Sequence, residues 1–209
     1  NLLLHGYRKA SQITVQTEHA KNEFMANYKV DSVKISVISN DLPKNFMNGA
    51  RTFDLPKVPN SMLFIGNASR IKGFDLLVDA ISKSVNKISI KKLTVVGVTE
   101  SEAKDLKYLA SHHSFEFSAI KRSNEILKLM KEHDLVVVPS REDQFPNVVL
   151  EALALKIPVI GADVDGISYM LKSKDVLFNI EKSDGLVNLL IDIFTETGYQ
   201  KVLSNILTQ

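Results

Sequence analysis

Near-continuous runs of Val, Ile and Leu constrain this chain more than any other feature of its sequence. The runs at 62–66 (MLFIG), 93–98 (LTVVGV), 135–139 (LVVVP) and 157–161 (IPVIG) show little alternation between apolar and polar positions. A strand that faces solvent on one side alternates; a strand buried on both faces does not, and such strands belong to parallel sheets covered by helices. Shorter candidates lie at 13–16, 33–38, 114–117 and 176–179. Between the runs the apolar spacing changes to about 3.6, most clearly over 73–86, where Phe74, Leu77, Val78, Ile81 and Val85 share a stripe. Residues 122–132, 147–155 and 184–196 follow the same period. Strands alternating with helices in this way predict an α/β fold with a doubly wound, Rossmann-like parallel sheet.

The rest of the composition mostly narrows the alternatives. With 209 residues, 44% of them hydrophobic, there is material for one large core or two small ones. The net charge is +2, and the 26 Lys and Arg are dispersed without an aromatic-interleaved block, which argues against a nucleic-acid partner. No cysteine is present, so disulfides and thiolate zinc sites are excluded. The opening NLLLHGYRKA is too short in apolar length for a signal peptide or a membrane span. It starts with Asn rather than Met, and the expectation is a piece of a longer chain. Residues 41–60 carry Pro43, Gly49, Pro56 and Pro59 without a sustained period and read as a linker or hinge. The expected division is 1–42, a linker at 43–60, a main domain at 61–180 and terminal helices over 181–209. The strand–helix–strand unit before the linker is too small to bury its own faces.

In open α/β sheets, ligands bind outside the carboxyl ends of the strands. Two loops at such ends attract notice. In the first, the strand ending at Gly66 runs through Asn67, Arg70 and Lys72 to a helix beginning near Gly73. Two cations beside the positive end of a helix suit an anion such as a phosphate, although a pair of solvated surface residues explains the same spacing. Neither a P-loop nor G-x-G-x-x-G is present. In the second, Pro139 and Ser140 lead through Arg141, Glu142 and Asp143 to Phe145-Pro146-Asn147, which opens an apolar helix expected to be buried all round. Glu151 interrupts that helix. A carboxylate there can accept both hydroxyls of a ribose, or it can be a first-turn acid bonded to backbone N–H groups. Glu142 reads as a solvated charge.

These two stretches, GNASRIKG and PSREDQFPNVVLEALALKIPVIGADVDGI, resemble the group 1 glycosyltransferases, retaining nucleotide-sugar-dependent enzymes of the two-domain GT-B architecture. The resemblance runs over about 33–180. It implies that this chain is the C-terminal, donor-binding domain together with a remnant (1–42) of the upstream domain. By position, Lys72 corresponds to the family's diphosphate-binding lysine. Asn67 stands where an arginine is usual, so Arg70 would supply the second cation. Glu151 corresponds to the ribose-binding acid and Asp143 to the acid that contacts the donor sugar, one methylene shorter than the usual Glu, with Glu142 a one-residue alternative. Phe145, Pro146, Asn147 and Val148 correspond to the turn whose amides face sugar and phosphate. Gly66 closes the first strand. Residues 117–122, among them Phe117, Ser118 and Ala119, correspond to the loop that touches the base, with Ala119 where glycine is common. Lys156 replaces a glycine at a helix C-terminus.

The resemblance therefore implies transfer of a sugar from a UDP- or GDP-sugar to a glycan or lipid-linked acceptor. By the same resemblance no metal or other cofactor is expected, and catalysis is expected to fall to Lys72, Arg70 and Asp143. The expected place of work is the cytoplasm, with the inner face of a membrane as an admissible partner surface. The acceptor side lies in an upstream N-terminal domain, so this chain alone is expected to bind nucleotide and transfer little sugar. A non-catalytic nucleotide-sugar-binding module and a non-hydrolysing sugar-nucleotide epimerase are the alternatives. Asp163-Val164-Asp165 imitates a metal-binding D-x-D, but Asp165-Gly166 reads as a turn. His112, His113 and His133 lack ligand spacing and read as exposed helix-end residues. Lys87, Lys91 and Lys92 read as a solvated edge.

Overall fold

The computed structural model describes residues 2–47 and 56–207, which form two parallel sheets. The smaller comes first, built from α1 (Leu2–Lys9), β1 (Ile13–Val15), α2 (Glu18–Tyr28) and β2 (Ile35–Val37), with Ile13, Thr14 and Val15 opposite Ile35, Ser36 and Val37. Thr17 starts α2 by accepting the Ala20 N–H at 3.0 Å. A two-strand sheet of this size needs outside packing. Within the unit, aromatic contact joins α1 to α2: the Tyr7 ring stands edge-on to Phe24 and Tyr28 at 4.8 and 4.9 Å.

The expected linker is not featureless. It contains a one-turn helix, α3 (Lys44–Met47), anchored by the buried Phe46. Gly49 and the rest of 48–55 lie outside the described residues.

The larger sheet follows, with β3 (Ser61–Ile65), α4 (Phe74–Ser84), β4 (Lys92–Val96), α5 (Lys104–His113), β5 (Glu116–Ile120) and α6 (Ile126–Lys131) in chain order. Then come β6 (Leu135–Val138), α7 (Asn147–Ala154), β7 (Val159–Ala162), α8 (Asp165–Leu171), β8 (Leu177–Phe178), α9 (Gly185–Ile193) and α10 (Glu196–Leu207). All six strands are parallel, in the order β5-β4-β3-β6-β7-β8. The chain starts at the middle, winds out to β5, then returns to β6 and winds the other way. The reversal between β3 and β6 is a topological switch point, where doubly wound sheets leave a crevice. Every residue of β6 and β7 is buried, which accounts for their unalternating sequences. Leu77 and Ile81 of α4 and Leu190 and Ile193 of α9 complete the core on the sheet's face.

Several expectations need correction. The fifth strand starts at Glu116 rather than 114, because Ser114 is left-handed at the end of α5 and Phe115 turns into the core. Asp165-Gly166 begins α8 instead of forming an isolated turn. The helix expected at 122–132 is confined to 126–131. α7 is not buried all round: Val149 and Ala152 are buried, while Val148, Leu150 and Leu153 are only half-covered. His133 is fully buried, not exposed. Its Nδ1–H donates to the Leu129 carbonyl at 2.6 Å, which leaves Nε2 to accept from the Thr94 hydroxyl at 2.8 Å. Burial pushes this imidazole below its ordinary range, so it is a neutral core histidine.

Candidate functional site

The loops after β3 and β6 flank the switch point and are held tightly together. Gly73 has φ 68°, and a Cβ there would lie 1.9 Å from the Pro139 carbonyl oxygen, so only glycine permits the approach. Within the first loop the Asn67 side-chain oxygen accepts the Ser69 N–H at 3.2 Å, and the Ser69 hydroxyl accepts the Lys72 N–H at 3.3 Å. Arg141 then bridges the loops. Its guanidinium donates two bonds to Asp75, at 2.7 and 2.8 Å, and one to the Arg70 carbonyl at 2.7 Å, while its own N–H donates to the Ile71 carbonyl. That guanidinium holds the Asp75 carboxyl below its ordinary range. Arg141 thus ties the two candidate loops together, a part that the sequence assigns to no residue. Its partner lies 66 positions away, beyond the reach of any local pattern.

Lys72 points across the gap to Asp143, with Nζ and Oδ2 2.6 Å apart. Asp143, not Glu142, therefore faces the cation; Glu142 is exposed and has no side-chain partner among the described residues. Asp143 is placed from below by Gly166, whose N–H donates to the Asp143 carbonyl at 3.1 Å. A Cβ on Gly166 would lie 1.8 Å from the Gln144 carbonyl oxygen, so the start of α8 props the acidic loop only as glycine. Arg70 is exposed, and its guanidinium has no partner among the described residues. Gly66 approaches the Lys72 Cβ.

Pro146 takes the N-cap position of α7 with φ −66°, one residue ahead of the helix rather than inside it, and no side chain caps the helix. The Asn147 and Val148 N–H groups consequently have no partner among the described residues, a common state at a helix start that awaits water or a ligand. Glu151 lies past the first turn, about 6 Å along the axis from Asn147. The reading as a first-turn acid bonded to backbone amides does not hold: its carboxylate is half-buried and accepts no hydrogen bond among the described residues. Burial pushes its carboxyl above the ordinary range. Side chains on a helix lean toward its N-terminus, so Glu151 is carried toward the same edge as Asn147.

Not every expected residue reaches this edge. The register sets Phe117 opposite Leu93 and Ser118 opposite Thr94, inside edge strand β5 and short of its carboxyl end, while Ala119 sits next to the last residue, Ile120. The residues that do follow the strand there are Lys121 and Arg122. Asp163 pairs with Lys174 at 2.6 Å, and among the described residues no cluster of three His, Asp or Glu forms a metal-binding set. A groove of about 580 Å³ between α4 and α5, lined in part by Asp79, Asp105 and Tyr108, includes neither Lys72, Asp143 nor Glu151. Lys72 and Asp143 meet at this edge, with Arg70 in the same loop as Lys72 and Glu151 on the helix that follows Asp143, whose start is uncapped.

A family model described as "Glycosyl transferases group 1" matches residues 59–196. The chain is 28% identical over 182 residues to an uncharacterised glycosyltransferase of Methanocaldococcus jannaschii, covering 81% of this chain and 46% of that protein. Among solved structures, a glycosyltransferase from Rickettsia africae has a TM-score of 0.74 at 16% identity, covering 100% of this chain and 62% of that one. HepE of Anabaena, solved in complex with UDP and glucose, has a TM-score of 0.70 at 18% identity, covering 97% and 59%. At such identities the structural likeness carries the fold alone. The chain spans about half the length of the curated relatives it matches.

Proposed function

Since this chain belongs to the glycosyl transferases group 1 family, we propose that it is the donor-binding half of a retaining glycosyltransferase that moves a sugar from a nucleoside-diphosphate sugar to a glycan or lipid-linked acceptor. Residues 1–42 then belong to the upstream half, which supplies the opposite wall of the cleft and the acceptor site. That division accounts for an open edge where a whole enzyme has a crevice.

One observation carries the reading. Among the described residues Glu151 is a half-buried carboxylate without a hydrogen-bond donor, one helical turn from unpartnered amides, and Asp143 in the loop before that helix pairs with Lys72. A buried acid is costly unless something donates to it. A ribose diol donates twice, and a diphosphate would take both the Lys72 ammonium and the Asn147 and Val148 amides. When the bond between anomeric carbon and phosphate oxygen breaks, negative charge grows on the departing diphosphate. Lys72 and the free guanidinium of Arg70 meet that charge more strongly than they meet the intact donor, and this difference accelerates the step. With two cations in place, no metal is required. Asp143, displaced from Lys72, is left to accept from hydroxyls of the transferring sugar. UDP-sugars are the first donors to try, because HepE was solved with UDP and glucose. Among the described residues no helix is long and apolar enough to cross a membrane.

Calorimetry with UDP, GDP and ADP tests the site. Lys72→Ala weakens every diphosphate by about 1–3 kcal/mol, the scale of a lost charged hydrogen bond. Unchanged binding removes Lys72 from the phosphate site. Robust sugar transfer by residues 1–209 alone contradicts the proposed division of labour.

A further inference from the structure

Among the described residues, Asn40 links the end of the small sheet to the site by hydrogen bonds. Asn40 follows β2 and is half-buried. Its Nδ2 donates to the Asn147 Oδ1 at 2.7 Å and to the Phe145 carbonyl at 3.3 Å. Its Oδ1 accepts from Gln16 Nε2 at 2.7 Å. Because the Phe145 carbonyl can only accept, the end of the carboxamide facing it is Nδ2, and the other end, Oδ1, is left to accept from Gln16. Gln16 is itself held at the end of β1: its carbonyl accepts from the Ser39 hydroxyl at 2.9 Å, and the Ile38 N–H donates to the Val15 carbonyl beside it. The result is a relay, Gln16–Asn40–Asn147, that starts on one sheet and ends on the first residue of the helix carrying Glu151.

We propose that Asn40 is a positioning residue for the donor site: through Asn147 and the Phe145 carbonyl it sets the first turn of α7 relative to the small sheet. The inference rests on the reading of that turn as the donor-binding one. It assigns a role to a residue that lies outside both loops. A shift of the small sheet, and of whatever upstream chain moves with it, is passed to the Asn147 and Val148 amides and to Glu151 one turn on. The polar contact has an apolar neighbour: Leu42 lines a groove of about 430 Å³ together with Phe145 and Leu150, so the chain after Asn40 also lies against this helix.

The test uses residues 1–209 carrying Asn40→Ala, Asn147→Ala or both, with two readouts. Amide exchange at 149–152, where the first helical bonds of α7 form, should speed up about tenfold in Asn40→Ala, the equivalent of one hydrogen bond of 1.4 kcal/mol, with the amides of β3 and β6 unchanged. UDP affinity should fall by about the same factor, and the double variant should lose less than the product of the single losses. Unaltered exchange at 149–152, or losses that simply multiply, overturns the proposal. If the wild-type chain takes up no nucleotide while Asn40→Ala still loosens 149–152, the positioning role stands and the donor reading is what fails.

Discussion

The Lys72–Asp143 pair makes Asp143 a built-in competitor for any phosphate that Lys72 is to hold, and Asp143→Asn exposes that competition. At 2.6 Å, with an effective dielectric of about 20, the gross attraction is about 6 kcal/mol. Lys72 is 39% exposed and Asp143 14%, so solvation of the separated groups offsets most of this. The net value falls near the lower end for charge-assisted hydrogen bonds, about 1.5 kcal/mol. A diphosphate must give up that amount before it gains Lys72. Asparagine keeps the shape of the side chain but removes the charge, so UDP should bind about tenfold tighter to the variant. A UDP-sugar should gain less, because the substituted carboxylate is also the group assigned to the sugar hydroxyls. Removing any nearby negative charge favours an anion somewhat, so the control is Glu142→Gln, which makes the same charge change in the same loop at an exposed, unpartnered position. Its effect should stay within about twofold at physiological salt. Titration calorimetry of the three proteins with UDP settles the matter. If Asp143→Asn binds UDP no tighter than Glu142→Gln, the carboxylate does not compete for Lys72 and the displacement step is wrong.

Other perturbations follow from the same geometry. Burial raises the Glu151 carboxyl, so the native state binds its proton more tightly than the unfolded chain does. The resulting penalty is full above the folded value and vanishes below the unfolded one, about 4.3. Glu151→Gln should accordingly melt higher than wild type at pH 7, with the gap closing toward pH 4, while UDP binding weakens; a gap that does not narrow with acid refutes the assignment. His133 is depressed by burial, so stability present above the ordinary imidazole value of about 6.5 should be lost as pH falls from there toward the folded value. Urea midpoints between pH 7.5 and 5.5 should drop more steeply for wild type than for His133→Gln, and parallel curves contradict this. Lys156 has φ 56°, a left-handed backbone at the end of α7. Lys156→Gly should raise the unfolding free energy by about 0.5–1 kcal/mol, and a destabilised variant is the adverse result.

Much of the architecture was legible because burial on both faces writes itself into composition. Runs such as LVVV at 135–138 can satisfy themselves only inside a covered parallel sheet, and all eight strand regions lie within three residues of where the runs place them. The weaker signals failed where local chemistry competes. Ser114 adopts a glycine-like conformation that shifts β5, and α8 begins at an Asp-Gly pair that usually turns. Within the site, Lys72, Asp143 and Glu151 came from spacing and family likeness. What spacing cannot contain is a partner far along the chain: Arg141 with Asp75, Asn40 with Asn147, His133 with Thr94. The three residues placed on β5 illustrate the converse. Their alignment position was reasonable, but a strand edge displaced by two residues carried Phe117 and Ser118 away from the carboxyl end.

The contact between Gly73 and Pro139 has a mechanical consequence. A helix start lying against a strand end with no room for a methyl group cannot slide without backbone collision, so the two loops travel as one rigid body. A substitution that forces a side chain in at Gly73 should accordingly disturb the ends of both strands together, while exposed side chains such as Arg70 keep their own freedom.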